Sequence, residues 1–188
     1  MSQTDTILRR LDGSMTAIRS LRDQVDRIDA VGAALIERLN HGGTLYTAGN
    51  GGSAAQALHL SEELIGRYRD NRPALRAVCL NADPTVMSCI ANDFGFERVF
   101  ARQCEALLAS NDVLLVLSTS GKSPNLVEAL KVAKACATLT VGLLGSGGGA
   151  CGPLCDHEIT IDETDSAFVQ EAHQVVVHLL CEMIEEAY

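Results

Sequence analysis

Residues 112–124 have the sequence DVLLVLSTSGKSP, in which a buried strand leads into a hydroxyl-rich loop and then into a helix. The run from Val113 to Leu117 is apolar without alternation, which is typical of a strand covered on both faces of a parallel sheet. Pro124 suits the first turn of a helix, and the helical pattern continues to Cys136. This segment therefore predicts one strand-loop-helix unit of a parallel sheet.

The same order of strand and helix continues on both sides of this unit. Four further apolar runs predict strands, at residues 44–47, 76–80, 139–144 and 157–161. Helical patterns lie between and after them, at residues 53–66, 84–92, 96–109 and 166–186. Strands that alternate with helices predict an α/β three-layer sandwich with a five-stranded parallel sheet. Ligands of such sheets bind at the carboxyl ends of the strands.

A long N-terminal helix is predicted over residues 4–39, with a bend near residues 26–29. Its apolar residues recur at steps of three and four and form one stripe, namely Leu8, Leu11, Met15, Ile18, Leu21, Val25, Ile28, Val31, Leu35 and Leu39. The stripe is longer than the face of a small domain. It therefore packs against another subunit or covers the core of its own chain, and the pattern leaves both open.

The composition predicts one domain over residues 1–188 and argues against a nucleic-acid partner. Hydrophobic residues make up 47% of the 188 residues, which is enough for a substantial core. The chain has 15 Lys and Arg against 24 Asp and Glu, a formal net charge of −9. A general nucleic-acid binder needs a surplus of basic residues to neutralise phosphates. A small anionic ligand remains compatible, because a few local donors can bind a phosphate.

The cysteines and the hydropathy indicate a cytoplasmic protein without a membrane partner. The seven cysteines include no C-x-x-C pair, which predicts reduced thiols. Cys151 and Cys155 stand near the edge of zinc-ligand spacing, but idle thiols are favoured because no second pair follows. The opening residues SQTD do not resemble a secretory leader. No apolar run approaches the roughly 20 residues of a membrane-spanning helix.

The first glycine-rich loop follows the predicted strand at 44–47. Residues 49–54, GNGGSA, fit the dinucleotide pattern G-x-G-x-x-A, which is weak by itself. The acidic residue expected at the end of the next strand is supplied only loosely, by Asp83. A backbone cradle for a polar ligand and a plain tight turn at the head of a helix remain as alternatives.

The second loop, residues 118–123, is more informative. Its Gly-Lys-Ser resembles a P-loop, but that motif needs glycine at 116, where the chain has Val116. A nucleotide triphosphatase is therefore rejected. Four hydroxyl side chains remain at a helix N-terminus, where free N–H groups and the helix dipole favour an anion such as a sugar phosphate. These side chains are Ser118, Thr119, Ser120 and Ser123. Ordinary helix capping by Ser120 or Ser123 is the alternative.

Two predicted helices carry side chains that could bind a metal or transfer protons. His59 and Glu63 are four residues apart and share one helix face, where they could ligate a divalent metal or form a surface contact. Gln174 and His178 share a face of the last helix, and Gln170 lies two turns before His178. The basic stretch 66–72, which contains Arg67, is either a solvated loop or a phosphate contact.

Taken together, these motifs make the chain resemble the sugar-isomerase (SIS) domain family and, within it, the isomerases of sedoheptulose 7-phosphate. The motifs are GNGGS at 49–53, HLSEELIGRY at 59–68, NDFGF at 92–96, STSG at 118–121 and QEAH at 170–173. The resemblance implies a flavodoxin-like sandwich, a homotetramer with active sites shared between subunits, and use of residues 1–40 in oligomerisation. It also implies conversion of the ketose phosphate to D-glycero-D-manno-heptose 7-phosphate through an enediol.

The resemblance further implies roles for individual residues. Glu63 and His178 match the acid-base pair, and His59, Glu63, Gln170 and His178 match the ligands of one zinc ion per subunit. The implied substrate contacts are Asn50, Gly51, Gly52, Ser53, Glu63, Arg67, Asn92, Asp93, Ser118, Thr119, Ser120, Ser123 and Gln170. One departure is Phe168, where many members have an arginine.

Two non-catalytic functions are alternatives to an isomerase. Some SIS-fold relatives are tetrameric scaffolds for a replication initiator, and a sugar-phosphate sensor is a further possibility. The scaffolds lack the acid-base pair, whereas this chain has both Glu63 and His178. The isomerase is therefore the favoured interpretation.

Overall fold

The computed structural model describes residues 2–188 and contains a five-stranded, fully parallel sheet. The strand order is β2-β1-β3-β4-β5. The strands are β1 (Leu45–Gly49), β2 (Ala77–Cys79), β3 (Val113–Ser118), β4 (Leu139–Gly145) and β5 (His157–Ile161). The predicted fold class is therefore confirmed, and each predicted strand is present within a few residues of its expected bounds.

Seven α-helices of the described residues cover the two faces of the sheet. They are α1 (Gln3–Ser20), α2 (Val25–Asn40), α3 (Gly52–Ile65), α4 (Pro84–Phe94), α5 (Ala101–Leu107), α6 (Pro124–Ala135) and α7 (Ser166–Glu186). The predicted helix over 96–109 is instead a short 3-10 turn, Phe96–Arg98, followed by α5. No helix among residues 2–188 is both long enough and apolar enough to cross a bilayer.

The side chains of β3 show how the two layers form. All six residues of this central strand are buried. Leu115 and Leu117 belong to the core that packs under α1, α2, α3 and α7, while Leu114 and Val116 belong to the core under α4, α5 and α6. Because successive side chains of a strand point to opposite faces, a continuous apolar run is needed to fill both cores.

The N-terminal helical segment is broken earlier than the predicted bend. A 3-10 turn at Leu21–Gln24 separates α1 from α2, and residue 1 of the expected segment 1–40 lies outside the described residues. The Gln24 side chain donates to the Thr160 carbonyl at 2.8 Å and accepts from the Thr160 N–H at 3.1 Å. Gln24 thereby completes the hydrogen bonds of the edge strand β5, which explains why the helix turns there.

Before this break, most of the predicted apolar stripe of α1 faces solvent. The exposed apolar side chains of the segment are Ile7, Leu8, Leu11, Met15 and Ile18 in α1 and Val25, the first residue of α2. In α2, by contrast, Ile28, Val31, Leu35 and Leu39 are buried in the core of the chain. The stripe therefore covers the core in its second half and leaves an apolar surface in its first half.

His173 of α7 is a fully buried histidine in the layer between α7 and the sheet. Neither ring nitrogen makes a hydrogen bond of normal geometry. Burial lowers the pKa of His173 to about 4, and the nearby backbone of Leu144 offsets this effect only in part. The imidazole is therefore neutral in the folded protein at neutral pH.

We expect His173 to destabilise the protein as the pH falls. The unfolded chain takes up the proton near pH 6.5 and the folded chain only near pH 4, so the free energy of unfolding falls across this window, by about 3 kcal/mol in total. Urea denaturation at pH 7.5 and pH 4.5 measures this loss. His173→Leu should lose about 2–3 kcal/mol less than the wild type. Equal losses in both proteins would contradict the assignment.

Candidate active site

The two ligand-binding loops predicted from the sequence lie side by side at the carboxyl edge of the sheet. They follow β1 and β3, which are neighbouring strands with Gly49 opposite Leu117. Asn81 holds the end of β1, because its side chain accepts from the Gly49 N–H at 3.2 Å and donates to the Gly49 carbonyl at 2.9 Å. Gly51 has φ +57°, a left-handed conformation that a glycine adopts without strain.

A pair of asparagines connects the two loops. Asn50 Nδ2 donates to Asn125 Oδ1 and Asn125 Nδ2 donates to Asn50 Oδ1, both at 2.9 Å. Asn125 lies in the first turn of α6 and is buried. The sequence analysis assigned no role to Asn125, because a polar residue after a helix-starting proline has no distinctive pattern. The pair fixes the first loop relative to the N-terminus of α6.

We expect the two asparagines to be energetically coupled. Asn50→Ala and Asn125→Ala should each destabilise the protein, and the double variant should be more stable than the sum of the two losses implies. The coupling free energy should be about 1 kcal/mol, since residues that share hydrogen bonds are not additive. Chemical denaturation of the four proteins measures it. Strict additivity would show that the reciprocal amide pair does not form.

The serine hydroxyls of the second loop accept hydrogen bonds within the loop or stay free of them, and none caps α6. Ser118 Oγ accepts from the Gly121 N–H at 3.0 Å, and Ser120 Oγ accepts from the Lys122 N–H at 3.2 Å. Ser123 is the N-cap residue of α6, yet its side chain makes no capping hydrogen bond. The capping alternative therefore does not describe these serines. The loop combines hydroxyls with a helix N-terminus, which suits an anion.

His59, Glu63 and His178 meet on the seam between α3 and α7. His59 Nε2 lies 3.0 Å from Glu63 Oε1, and the rings of His59 and His178 have centroids 5.4 Å apart in an edge-to-face arrangement. Both helices begin at the carboxyl edge of the sheet and run in the same direction. As a result, His59 and Glu63, which are four residues apart on α3, lie beside the turn of α7 that contains His178. Glu63 and His178 therefore contact the same imidazole.

Gln170 and Phe168 lie at the beginning of α7, away from the imidazoles. The amide of Gln170 lies so close to Gly52 that a Cβ atom on Gly52 would come within 2.7 Å of Gln170 Nε2. Phe168 packs against Gly13 of α1, and the Arg10 guanidinium stacks on its ring with 4.2 Å to the centroid. The residue that departs from the family pattern is thus part of the packing between α1 and α7.

Three predicted substrate contacts are not joined to these groups by any hydrogen bond of the described residues. Asn92 and Asp93 are exposed near the end of α4, where Asn92 Nδ2 donates to Asp93 Oδ1 at 2.7 Å. Arg67 is exposed in the turn after α3. One chain therefore brings the two loops together at the edge of the sheet and forms the His-Glu cluster further along α3 and α7, and it leaves these three side chains apart from both.

Three further residues contact the cluster. The sequence analysis noted Gln174 for sharing a helix face with His178 and placed Tyr68 and Arg72 in the basic stretch 66–72, but it did not predict that they meet His59, Glu63 or His178. Gln174 Nε2 lies 2.8 Å from His59 Nδ1 and 3.0 Å from His178 Nε2. The ring of Tyr68 lies 5.8 Å from that of His178. Arg72 donates to the carbonyl of Glu63 at 2.7 Å and supports the end of α3. The only signal in the sequence was the spacing of four between Gln174 and His178.

The cluster has the chemistry of a site for a divalent metal ion. His59, Glu62 and Glu63 of α3 offer possible ligand atoms that all lie within 4.8 Å of one another, and the His178 ring faces His59 from α7. Imidazole nitrogens and carboxylate oxygens are ligands of the kind that zinc uses. The Glu63 side chain is 15% exposed and that of His59 is 32% exposed, so an ion would be partly shielded from water. The residues present therefore fit a metal, although Gln170 does not reach His59 or His178 through any hydrogen bond of the described residues.

Cys151 and Cys155 do not have the character of zinc ligands. Cys151 is completely buried, and burial raises the pKa of its thiol to about 11 and that of Cys155 to about 12. Among residues 2–188, the two thiols also belong to no group of three possible ligands, since such a group forms only at His59, Glu62 and Glu63. The structure is consistent with the preferred interpretation of these residues as idle thiols.

Comparisons with known proteins show which family the chain is similar to. The sequence model of the SIS domain family matches residues 12–145. Phosphoheptose isomerase 1 of Campylobacter jejuni is 49% identical over 162 residues, which cover 86% of this chain and 87% of that protein. The solved phosphoheptose isomerase of Francisella tularensis superposes with a TM-score of 0.95 at 30% identity, covering 99% of this chain and 100% of that one. That of Neisseria gonorrhoeae has a TM-score of 0.93 at 30% identity and covers 98% and 100%.

Proposed function

The chain belongs to the SIS-domain family and, within it, to the phosphoheptose isomerases, and on this premise we propose that it isomerises sedoheptulose 7-phosphate to D-glycero-D-manno-heptose 7-phosphate. The observation that best supports the proposal is that Glu63 and His178 both contact the imidazole of His59. A carboxylate and an imidazole so placed can exchange protons with adjacent carbon atoms of a sugar. An anion site for the phosphate lies in the same protein.

The substrate phosphate binds the second loop in this proposal. The hydroxyls of Ser118, Thr119, Ser120 and Ser123 and the N-terminus of α6 donate to it. The sugar hydroxyls contact the first loop, at Asn50, Gly51, Gly52 and Ser53, together with Gln170. Arg67, Asn92 and Asp93 complete the substrate contacts from a neighbouring subunit. Fixing the phosphate holds carbons 1 and 2 in place, which lowers the entropic part of the barrier.

The proton transfers are assigned to Glu63 and His178. His59 contacts Glu63 Oε1, so Oε2 is the oxygen that takes a proton from carbon 1. The electron pair of that C–H bond forms the double bond of the enediol, and the carbonyl oxygen at carbon 2 takes up the proton that Glu63 removed. His178 then delivers a proton to carbon 2 and receives the proton of the hydroxyl at carbon 1, which becomes the aldehyde, so both side chains return to their starting states.

A zinc ion is the proposed cofactor. His59, Glu63 and His178 would hold it, with Gln170 as the further ligand that the family resemblance implies. When bound, the ion would polarise the two oxygens of the reacting carbons. The Tyr68 ring packs against His178, and Arg72 donates to the Glu63 carbonyl at the end of α3, so both contacts help to position the proposed ligands.

We further propose that residues 1–188 form one SIS domain and that it works as a homotetramer in the cytoplasm. Along α3, His59 and Glu63 lie about 9 and 15 Å from Ser53, so a second protomer can supply loops to the same substrate. The exposed apolar face of α1 offers a surface for that protomer. Residues 1–40 would then serve oligomerisation, and the active sites would be shared between subunits.

The experiment that tests the proposed function is an NMR assay. The purified protein is incubated with sedoheptulose 7-phosphate, with and without added zinc, and formation of the aldose phosphate is followed. Conversion supports the isomerase. No conversion under either condition, with the sugar phosphate still bound, would indicate a sensor. Neither conversion nor binding would indicate a scaffold.

A further inference from the structure

Gln174 occupies the space between the two imidazoles of the candidate site. Its Nε2 lies 2.8 Å from His59 Nδ1 and 3.0 Å from His178 Nε2, so both ring nitrogens are directed at one amide nitrogen. An amide NH2 group can donate two hydrogen bonds and cannot accept one. A neutral imidazole has one nitrogen that accepts. Each N–H can therefore donate to one ring.

The orientation of the Gln174 amide is set by a second glutamine. Gln56 Nε2 donates to the backbone carbonyl of Gln170 at 2.7 Å, and a carbonyl can only accept, so this atom of Gln56 is its nitrogen. The same Gln56 Nε2 lies 3.3 Å from Gln174 Oε1. The oxygen of Gln174 therefore faces Gln56, and its nitrogen faces the two histidines. Exchanging the two amide atoms of Gln174 would place two N–H donors against each other.

We propose that Gln174 is a positioning residue that holds His59 and His178 together in the metal-free protein and competes with a metal for their nitrogens. The inference deepens the proposed function and rests on its assignment of these two histidines to the metal site. A ring nitrogen that accepts a hydrogen bond from Gln174 has no lone pair left for a metal. Metal binding through His178 Nε2 therefore requires the amide to withdraw.

The same hydrogen bonds define the tautomers of both rings in the metal-free protein. His59 carries its proton on Nε2, which faces Glu63, and keeps Nδ1 as the acceptor. His178 keeps Nε2 as the acceptor and therefore carries its proton on Nδ1. One imidazole is thus oriented by a carboxylate, and both are linked by an amide.

Zinc affinity of Gln174 variants, measured by competition with a coloured chelator, tests the proposal. Gln174→Leu and Gln174→Met both remove the amide, and the Met variant also preserves the length of the side chain. Each should bind zinc about tenfold more tightly than the wild type, a ratio typical of the net effect of one or two hydrogen bonds between neutral groups. Gln3→Met makes the same change at an exposed position of α1 and should leave the zinc affinity unchanged.

Nitrogen-15 spectra of the metal-free protein provide a second measurement that needs neither metal nor substrate. His178 Nε2 should have the shift of an unprotonated nitrogen in the wild type, and this signal should move in Gln174→Met. Weaker or unchanged zinc binding in both Gln174 variants would contradict the proposal, as would a protonated His178 Nε2 in the wild type. An inactive protein with the expected affinities and spectra would refute the proposed reaction and keep this inference.

Discussion

Glu63→Gln is expected to lower kcat for sedoheptulose 7-phosphate by about a thousandfold, because general acid-base groups of this kind contribute factors of 10² to 10⁴. Glutamine has nearly the same shape, but its amide cannot take the proton from carbon 1. The Glu63 backbone stays bound to Arg72, so the end of α3 should keep its structure. Steady-state kinetics with quantified product measure the effect.

The matched control is Glu37→Gln, the same substitution at an exposed position of α2. It should leave kcat unchanged. His178→Gln should have an effect of the same order as Glu63→Gln, and both variants should retain the oligomeric state of the wild type. Near-normal turnover in either variant would remove that residue from the proton transfers.

Ser120→Asp is expected to raise KM for the sugar phosphate by about a hundredfold, since bringing like charges together in a binding site costs several kcal/mol. Ser120 is exposed at the carboxyl end of β3, three residues before the N-cap of α6. A carboxylate there is compatible with the dipole of α6, so the protein should still fold. Its charge would, however, lie where the phosphate has to bind.

Ser110→Asp provides the control for this prediction. Ser110 is exposed just before β3, at the amino edge of the sheet. The variant therefore adds the same charge next to the same strand, but at the end opposite to the second loop. It should leave KM unchanged. A similar rise in both variants would show that the general field of the acidic protein, rather than the second loop, repels the substrate.

The fold could be predicted because its signals are local. The unbroken apolar run of β3 and Pro124 at the start of α6 indicate a buried strand and a helix without knowledge of the rest of the chain. The break at Leu21–Gln24 could not be predicted, because its cause is the hydrogen bonding of Gln24 to Thr160, which lies far away in the sequence. Tertiary contacts override helical periodicity there.

The loops of the candidate site could be predicted from the sequence, whereas the contacts between its two helices could not. The hydroxyls of the second loop are contiguous, so their clustering is visible in the sequence. Whether Gln170 or Gln174 reaches the imidazoles depends on how far α7 is shifted along α3, and no sequence pattern gives that shift. Asn125 was missed for a similar reason, since its partner Asn50 belongs to another loop.

A crystal structure of the Glu63→Gln variant with sedoheptulose 7-phosphate tests most directly whether the residues at 63 and 178 act on one substrate. We predict the phosphate in the loop 118–123, with carbons 1 and 2 between residue 63 and His178, each within the roughly 2.6–3.2 Å reach of a proton transfer or of one water. The two side chains can belong to the protomer that binds the phosphate or to its neighbour. A bound sugar whose reacting carbons lie beyond the reach of both side chains, in every protomer, would contradict the account.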